Sequence, residues 1–293
     1  MKISKAGVEY FRRYSSYTQT QPHKKNLNHH VNTFDDYTIC HFCKFIIIFL
    51  RVRYARLKYT NDSGMKQIIN FLRELSCNNN KEWFTANKER YLMVQQRWYA
   101  FCEELIAEIG KYDADIENLT IKDCTYRIYR DTRFSKDKTP YKTHMGVFLC
   151  PGGKKSMHAG YYFHLGTGGD EGYPATHMLA SGNYCYDSKA IKILREDISD
   201  GWEEFKSQVL DVADSRFGID MDGALKRVPK EYPEDAPYAD FMRLKSYCLV
   251  ANIDEKFITS PDLAKRVAEI FRTTKPFNDY INRAVDYVRE EEV

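Results

Sequence analysis

The sequence predicts an α+β fold: a mostly antiparallel central sheet flanked by N-terminal and C-terminal helices. Three observations carry that expectation. Helical periodicity fills residues 65–109. Strand-like alternation gathers between residues 124 and 180. Capped helical patterns return from Asp187 to the C-terminus. Helices first, strands together and helices last is the pattern of segregated α+β architecture, not of repeating βαβ units.

Ile68, Ile69, Leu72 and Leu75 recur at helical spacing, so residues 65–75 read as an amphipathic helix. Asn78, Asn79 and Asn80 supply cap residues for a second helical run over 81–109, broken near Asn87, with Gly110 suited to its end. Strands are expected over 124–130, 145–150 and 158–165, with Pro151-Gly152-Gly153-Lys154 as the hairpin connection between the last two. A further strand is expected near 175–180. Asp187 or Ser188 caps a helix through Ile198, and 201–213 form another. Residues 229–237 are a proline-punctuated loop, and 247–253 a late strand. Ser260-Pro261 opens a helix with proline at its first position, and the last helix starts at Lys275.

Charge divides the chain. Residues 1–64 hold 11 Lys/Arg against 4 Asp/Glu, whereas 65–293 hold 33 against 37, so the overall +3 joins two unlike parts. The first part shows no sustained helical or alternating period. Its apolar run over 45–50 is six residues long, far short of the ~20 that a membrane span needs. Arg51-Val52-Arg53 follows that run where a signal peptide would place small residues. Two readings of 1–64 stand: an over-extended start with Met65 as the true first residue, or a disordered basic tail. Residues 65–293 suffice for a single α+β domain with a substantial core. Eight cysteines, spread singly apart from Cys40 and Cys43, read as reduced thiols of a cytoplasmic protein.

The segment YRIYRDTRFSKDKTPYKTHMG, from Tyr126 to Gly146, concentrates the chemistry. Between Arg127 and Lys142 it carries six basic residues (Arg127, Arg130, Arg133, Lys136, Lys138, Lys142) and two acids, Asp131 and Asp137. In one reading Arg127, Arg130 and Arg133 clamp an oxyanion through planar donors, the lysines add point charge, and Tyr129 and His164 complete the ligand site. In the other, the same cations pair with nearby carboxylates and hold the loop down. The interleaved aromatics Tyr126, Tyr129, Phe134 and Tyr141 would suit base stacking. A net acidic domain makes nucleic acid the weaker partner. Asp131 and His144 are the acid/base candidates.

Other motifs carry less. His158, Tyr162 and His164 share one face of their strand, opposite the apolar Ala159, Tyr161, Phe163 and Leu165. Six residues along a strand span ~20 Å, so His158 and His164 cannot share a metal. Cys40-His41-Phe42-Cys43 is half of a zinc pattern without a second pair. Gly166-Thr167-Gly168-Gly169 lacks the lysine and glycine spacing of a phosphate loop and reads as a turn. Cys150 reads as a small core residue before it reads as a nucleophile. No metal or cofactor site is assigned.

The phrase RIYRDTRFSKDKTPYK resembles the signature of a mainly bacterial family known as domain of unknown function 2461. Asn78 to Tyr91, the run Gly160 to Leu165, Leu225 to Pro229 and Phe241 to Tyr247 resemble further landmarks of that family. The resemblance covers roughly residues 65–293 and implies the extent of the domain, not an activity. The functional expectation therefore rests on the basic segment. It is an anion-binding protein, with an enzyme acting on a phosphorylated small molecule as the extension of that expectation. The alternative is a non-enzymatic module whose basic segment is structural or docks an acidic protein partner. No membrane partner is expected.

Overall fold

The computed structural model describes residues 63–167, 177–184 and 187–291. The readings of residues 1–62, of the Cys40–Cys43 pair, and of the first residues of the strand expected near 175–180 lie outside the described residues. The architecture is α+β, with a five-stranded, wholly antiparallel sheet of order β1-β2-β3-β5-β4. No described helix is long and apolar enough to cross a membrane.

Helix α1 (Ser63–Cys77) buries Ile68, Ile69, Phe71, Leu72 and Leu75 along one stripe. Asn80 then caps α2 (Lys81–Ala86): its side-chain oxygen accepts from the Trp83 amide at 2.8 Å. Asn87 ends α2 and precedes α3 (Lys88–Ile109), which is the break the sequence predicts. Trp98, Phe101, Leu105 and Ile109 recur on the buried side of α3 at helical spacing. Two short helices follow, α4 (Ala114–Glu117) and α5 (Ile121–Cys124), the second closed by a Thr120/Asp123 capping box.

The sheet comprises β1 (His144–Leu149), β2 (Gly160–Gly166), β3 (His177–Asn183), β4 (Gly218–Ile219) and β5 (Tyr247–Asn252). Register aligns Val147, Phe163, Leu179 and Ala251 across four strands. All four are at most 1% exposed and belong to the core that α1, α3 and α10 (Leu263–Arg272) complete. The neighbouring row, Gly146, His164 and Met178, points to the opposite face. A second core gathers Ala159, Tyr247 and Leu249 with α6 (Ser188–Asp200), α7 (Trp202–Phe205), α8 (Ala239–Arg243) and α11 (Lys275–Glu291).

Three expectations need correction. Residues 124–130 are not a strand. The capping box winds 121–124 into a helical turn, and the extended residues beyond it make only isolated bridges, Thr125 to Val147 and Tyr129 to Tyr141. Pro140 has no amide to donate, which limits any ladder with this segment. The β1–β2 connection is longer than a tight hairpin, running from Cys150 to Ala159 with positive φ at Gly152, Gly153 and Met157. The helix expected to open at Ser260-Pro261 instead starts at Leu263, behind a left-handed Asp262 (φ 54°) and the short α9 (Glu255–Ile258).

Candidate functional site

The basic segment leaves α5, extends to Arg130, turns through 131–139 and returns to β1. Two backbone bonds tie its limbs: the Arg130 amide donates to the Pro140 carbonyl (3.0 Å) and the Lys142 amide to the Ile128 carbonyl (2.8 Å). The base of this loop is gripped from α2. Phe84 stacks on Tyr141 with centroids 4.0 Å apart, and Tyr129 meets Phe84 edge-on at 6.0 Å. Asn79 mimics a neighbouring strand, donating to the Tyr141 carbonyl (2.9 Å) and accepting from its amide (3.1 Å). Asn79 is therefore not a cap residue; the cap is Asn80, one position on. Asn79→Ala leaves a half-buried donor and acceptor unmatched and is expected to cost about 1–3 kcal/mol, read as a lower urea midpoint with an unchanged slope.

Within the loop the cations divide. Arg130, with a side chain 19% exposed, donates to Asp137 and Thr139, and Asp137 also accepts from the Thr139 amide at 2.9 Å. The hydrogen bond from Arg130 is the first cause that holds the Asp137 carboxyl at about 2. Arg133 pairs bidentately with Asp131, Nε to Oδ1 at 2.9 Å and Nη2 to Oδ2 at 2.7 Å. That pairing holds Asp131 at about 2 as well, so Asp131 has little affinity for a proton at neutral pH. Lys138 donates to the Thr132 carbonyl at 2.8 Å, and Lys136 is exposed. Phe134 stands at the tip, 95% exposed. Arg130 and Arg133 thus secure the loop and do not join Arg127 in a three-arginine clamp.

Arg127 goes elsewhere. Together with Tyr126, Lys142, His144, Met145, Gly146 and Tyr162 it lines a cleft of about 160 Å³ on the sheet face opposite the α1/α3 core. Among the described residues, no aspartate or glutamate lines it. Strand register assembles its floor. His144 opposes Gly166 and Gly146 opposes His164, so His144 and His164 are diagonal neighbours with ring centroids 4.9 Å apart. The Tyr162 hydroxyl lies 3.1 Å from His164 Nδ1. Gly146 makes room for Tyr162: a Cβ there would sit 2.5 Å from its hydroxyl and 2.8 Å from the ring. At the rim, the Lys142 and Lys154 ammonium groups lie 5.4 and 5.8 Å from the Tyr126 ring centroid.

Of the residues singled out from the sequence, the fold brings Arg127, Lys142 and His144 together, with His164 behind them. It separates Arg130, Arg133, Lys136, Lys138 and Asp131 from that cleft, and Tyr129 packs on Phe84. Tyr126, Tyr162 and Gly146 complete the cleft. Cys150 is buried, and burial pushes its thiol up to about 11, the reverse of an activated nucleophile. Among the described residues, no group of three or more His, Cys, Asp or Glu is placed to hold a metal ion.

A family model described as conserved hypothetical protein (DUF2461) matches residues 67–280. No curated protein matches the chain, and no solved structure does. The chain belongs to the domain of unknown function 2461 family.

Proposed function

We propose that the chain binds a small phosphorylated ligand in the cleft bounded by Arg127, Lys142 and His144. The observation that carries this reading is the convergence of a guanidinium, an ammonium and an imidazole on one concave surface. The Arg127 guanidinium supplies a planar fork for two phosphate oxygens, Lys142 a point charge, and His144 and Tyr162 a ring nitrogen and a hydroxyl. Extension to catalysis assigns His144 the acid/base role, backed by its neighbour His164. The compartment in this reading is the cytoplasm, in keeping with the buried thiols of Cys102, Cys124, Cys150 and Cys248.

The exposed Phe134, beside Arg133 at the loop tip, favours the second reading, in which the loop docks an acidic protein partner. A thermal-shift panel separates the two. The full chain is melted with inorganic phosphate, sulfate, nucleotides, sugar phosphates and short oligonucleotides. A ligand at about a hundred times its dissociation constant stabilises by ~2.7 kcal/mol, a rise of roughly 5–10 °C for a domain of this size. A shift confined to one phosphorylated class supports the cleft. A flat panel removes the reading and leaves the loop tip as the surface to pursue. Gly146→Ala tests the cleft's shape. The added methyl displaces Tyr162, so affinity for the shifting ligand is expected to fall, while overpacking costs stability by about 1–3 kcal/mol.

A further inference from the structure

A second cavity, of about 210 Å³, lies between the loop entering α4, strand β2 and helix α11, away from the basic cleft. Its chemistry is opposite in sign. Asp113, Asp115, Asp279 and Asp286 line it, against Arg283 and His158. Most of these groups already have companions. Asp279 takes an ion pair from Lys275 at 2.6 Å, and Asp286 Oδ1 lies 2.8 Å from His158 Nε2. Arg283 lies over the Tyr280 ring, 4.7 Å from its centroid.

Asp113 and Asp115 differ. Among the described residues neither makes an ion pair. Asp113 is only 7% exposed, and its carboxylate accepts from the Tyr161 hydroxyl at 2.8 Å. One neutral donor leaves most of the acceptor capacity of this buried carboxyl group unused. The independent sign of a ligand is Asn278, one turn into α11. It is 3% exposed and lines the cavity, yet both its amide nitrogen and its amide oxygen lack a hydrogen-bond partner. Buried amides are almost always satisfied. Its neighbour one turn on shows the usual state: Asn282 accepts from the Ala159 amide at 2.7 Å and donates to the Ala159 carbonyl at 3.2 Å.

We infer that this cavity binds a small organic cation, whose ammonium or guanidinium N–H groups donate to Asp113, Asp115 and the Asn278 side-chain oxygen. The Asn278 amide nitrogen, which such a cation cannot satisfy, is left to bound water. An organic cation fits better than a metal ion, because the described residues gather no group of three metal-ligating side chains here. This site is independent of the anion cleft, so either can fail without the other.

The test is a melt of the full chain with putrescine and with agmatine, each against KCl at equal ionic strength. At about a hundred times its dissociation constant, one amine is expected to raise the melting temperature by roughly 5–10 °C beyond the salt control. Putrescine and agmatine distinguish the ammonium from the guanidinium form. Asn278→Leu keeps the side chain's shape and removes both of its polar atoms. It is expected to abolish the shift while still folding, and Asp113→Asn is expected to weaken it. No shift beyond KCl from either amine overturns the inference. So does an undiminished shift in Asn278→Leu.

Discussion

Gly182→Ala is expected to destabilise the protein by on the order of 4 kcal/mol or more, at the far end of what single substitutions do. Gly182 lies inside β3, opposite Gly160 on one side and Cys248 on the other. Its φ is +124°, a region that side-chain-bearing residues rarely adopt. A Cβ there would sit 2.0 Å from the Tyr247 carbonyl oxygen and 2.9 Å from the Cys248 Cα. Both obstacles are backbone atoms of β5, held by the ladder itself, so nothing near them can swing aside. Relief requires parting β3 from β5, which joins β4 and β5 to the rest of the sheet. At ~2–4 °C per kcal/mol, melting should fall by about 10 °C or more. Gly218→Ala is the matched control. It also lies in a strand, but a Cβ there meets nothing within 4 Å, and its effect should stay within about 1 kcal/mol. Equal urea midpoints for the two variants would remove the close approach of β3 to β5 as the reason for this glycine.

The same residue shows where the sequence was legible and where it was not. Alternation around Phe163 placed Tyr161, Phe163 and Leu165 on the core face of β2 correctly, because successive side chains of a strand point to opposite faces. Asn87 as a helix break and a cap at Asp187 or Ser188 were legible because capping is a local interaction, and Asp187 is the one that caps. Gly182, in contrast, lies beyond the strand expected near 175–180, whereas β3 runs to Asn183. The glycine answers to a strand more than sixty residues away. Residues 124–130 failed differently: their alternation is real, but the Thr120/Asp123 box and Pro140 withhold the partner that would make a strand of them. In the candidate site the basic residues were visible as a group. Their division was not. The pairs Arg133–Asp131 and Arg130–Asp137 are short-range, while Arg127, on the extended segment before the loop, meets His144 of β1 and Tyr162 of β2 only once the chain has folded. Asn79 and Asn80 are adjacent and identical, and nothing in the sequence says which one caps and which one holds the loop.

That division makes Arg127→Ala the decisive variant for the anion reading. Arg127 is exposed, and among the described residues it makes no ion pair. Removing it should leave the melting temperature of the unliganded protein almost unchanged, as for most surface substitutions. Hydrogen bonds to charged groups contribute about 1.5–3 kcal/mol each, so loss of the guanidinium should weaken ligand affinity by roughly 10- to 150-fold. Arg127→Lys keeps the charge without the fork and should fall between the two. Arg130→Ala should behave in the reverse way. It unties Asp137 and Thr139 inside the loop, so the protein should melt lower while the cleft keeps its cations. Titration calorimetry at fixed ionic strength, with the ligand that shifts the wild-type chain, reads both variants. Screening acts on every surface charge, so a generic attraction to the basic segment would lose a similar, small increment with either arginine. A built site loses binding with Arg127 and stability with Arg130. Wild-type affinity in Arg127→Ala would move the anion out of the cleft altogether.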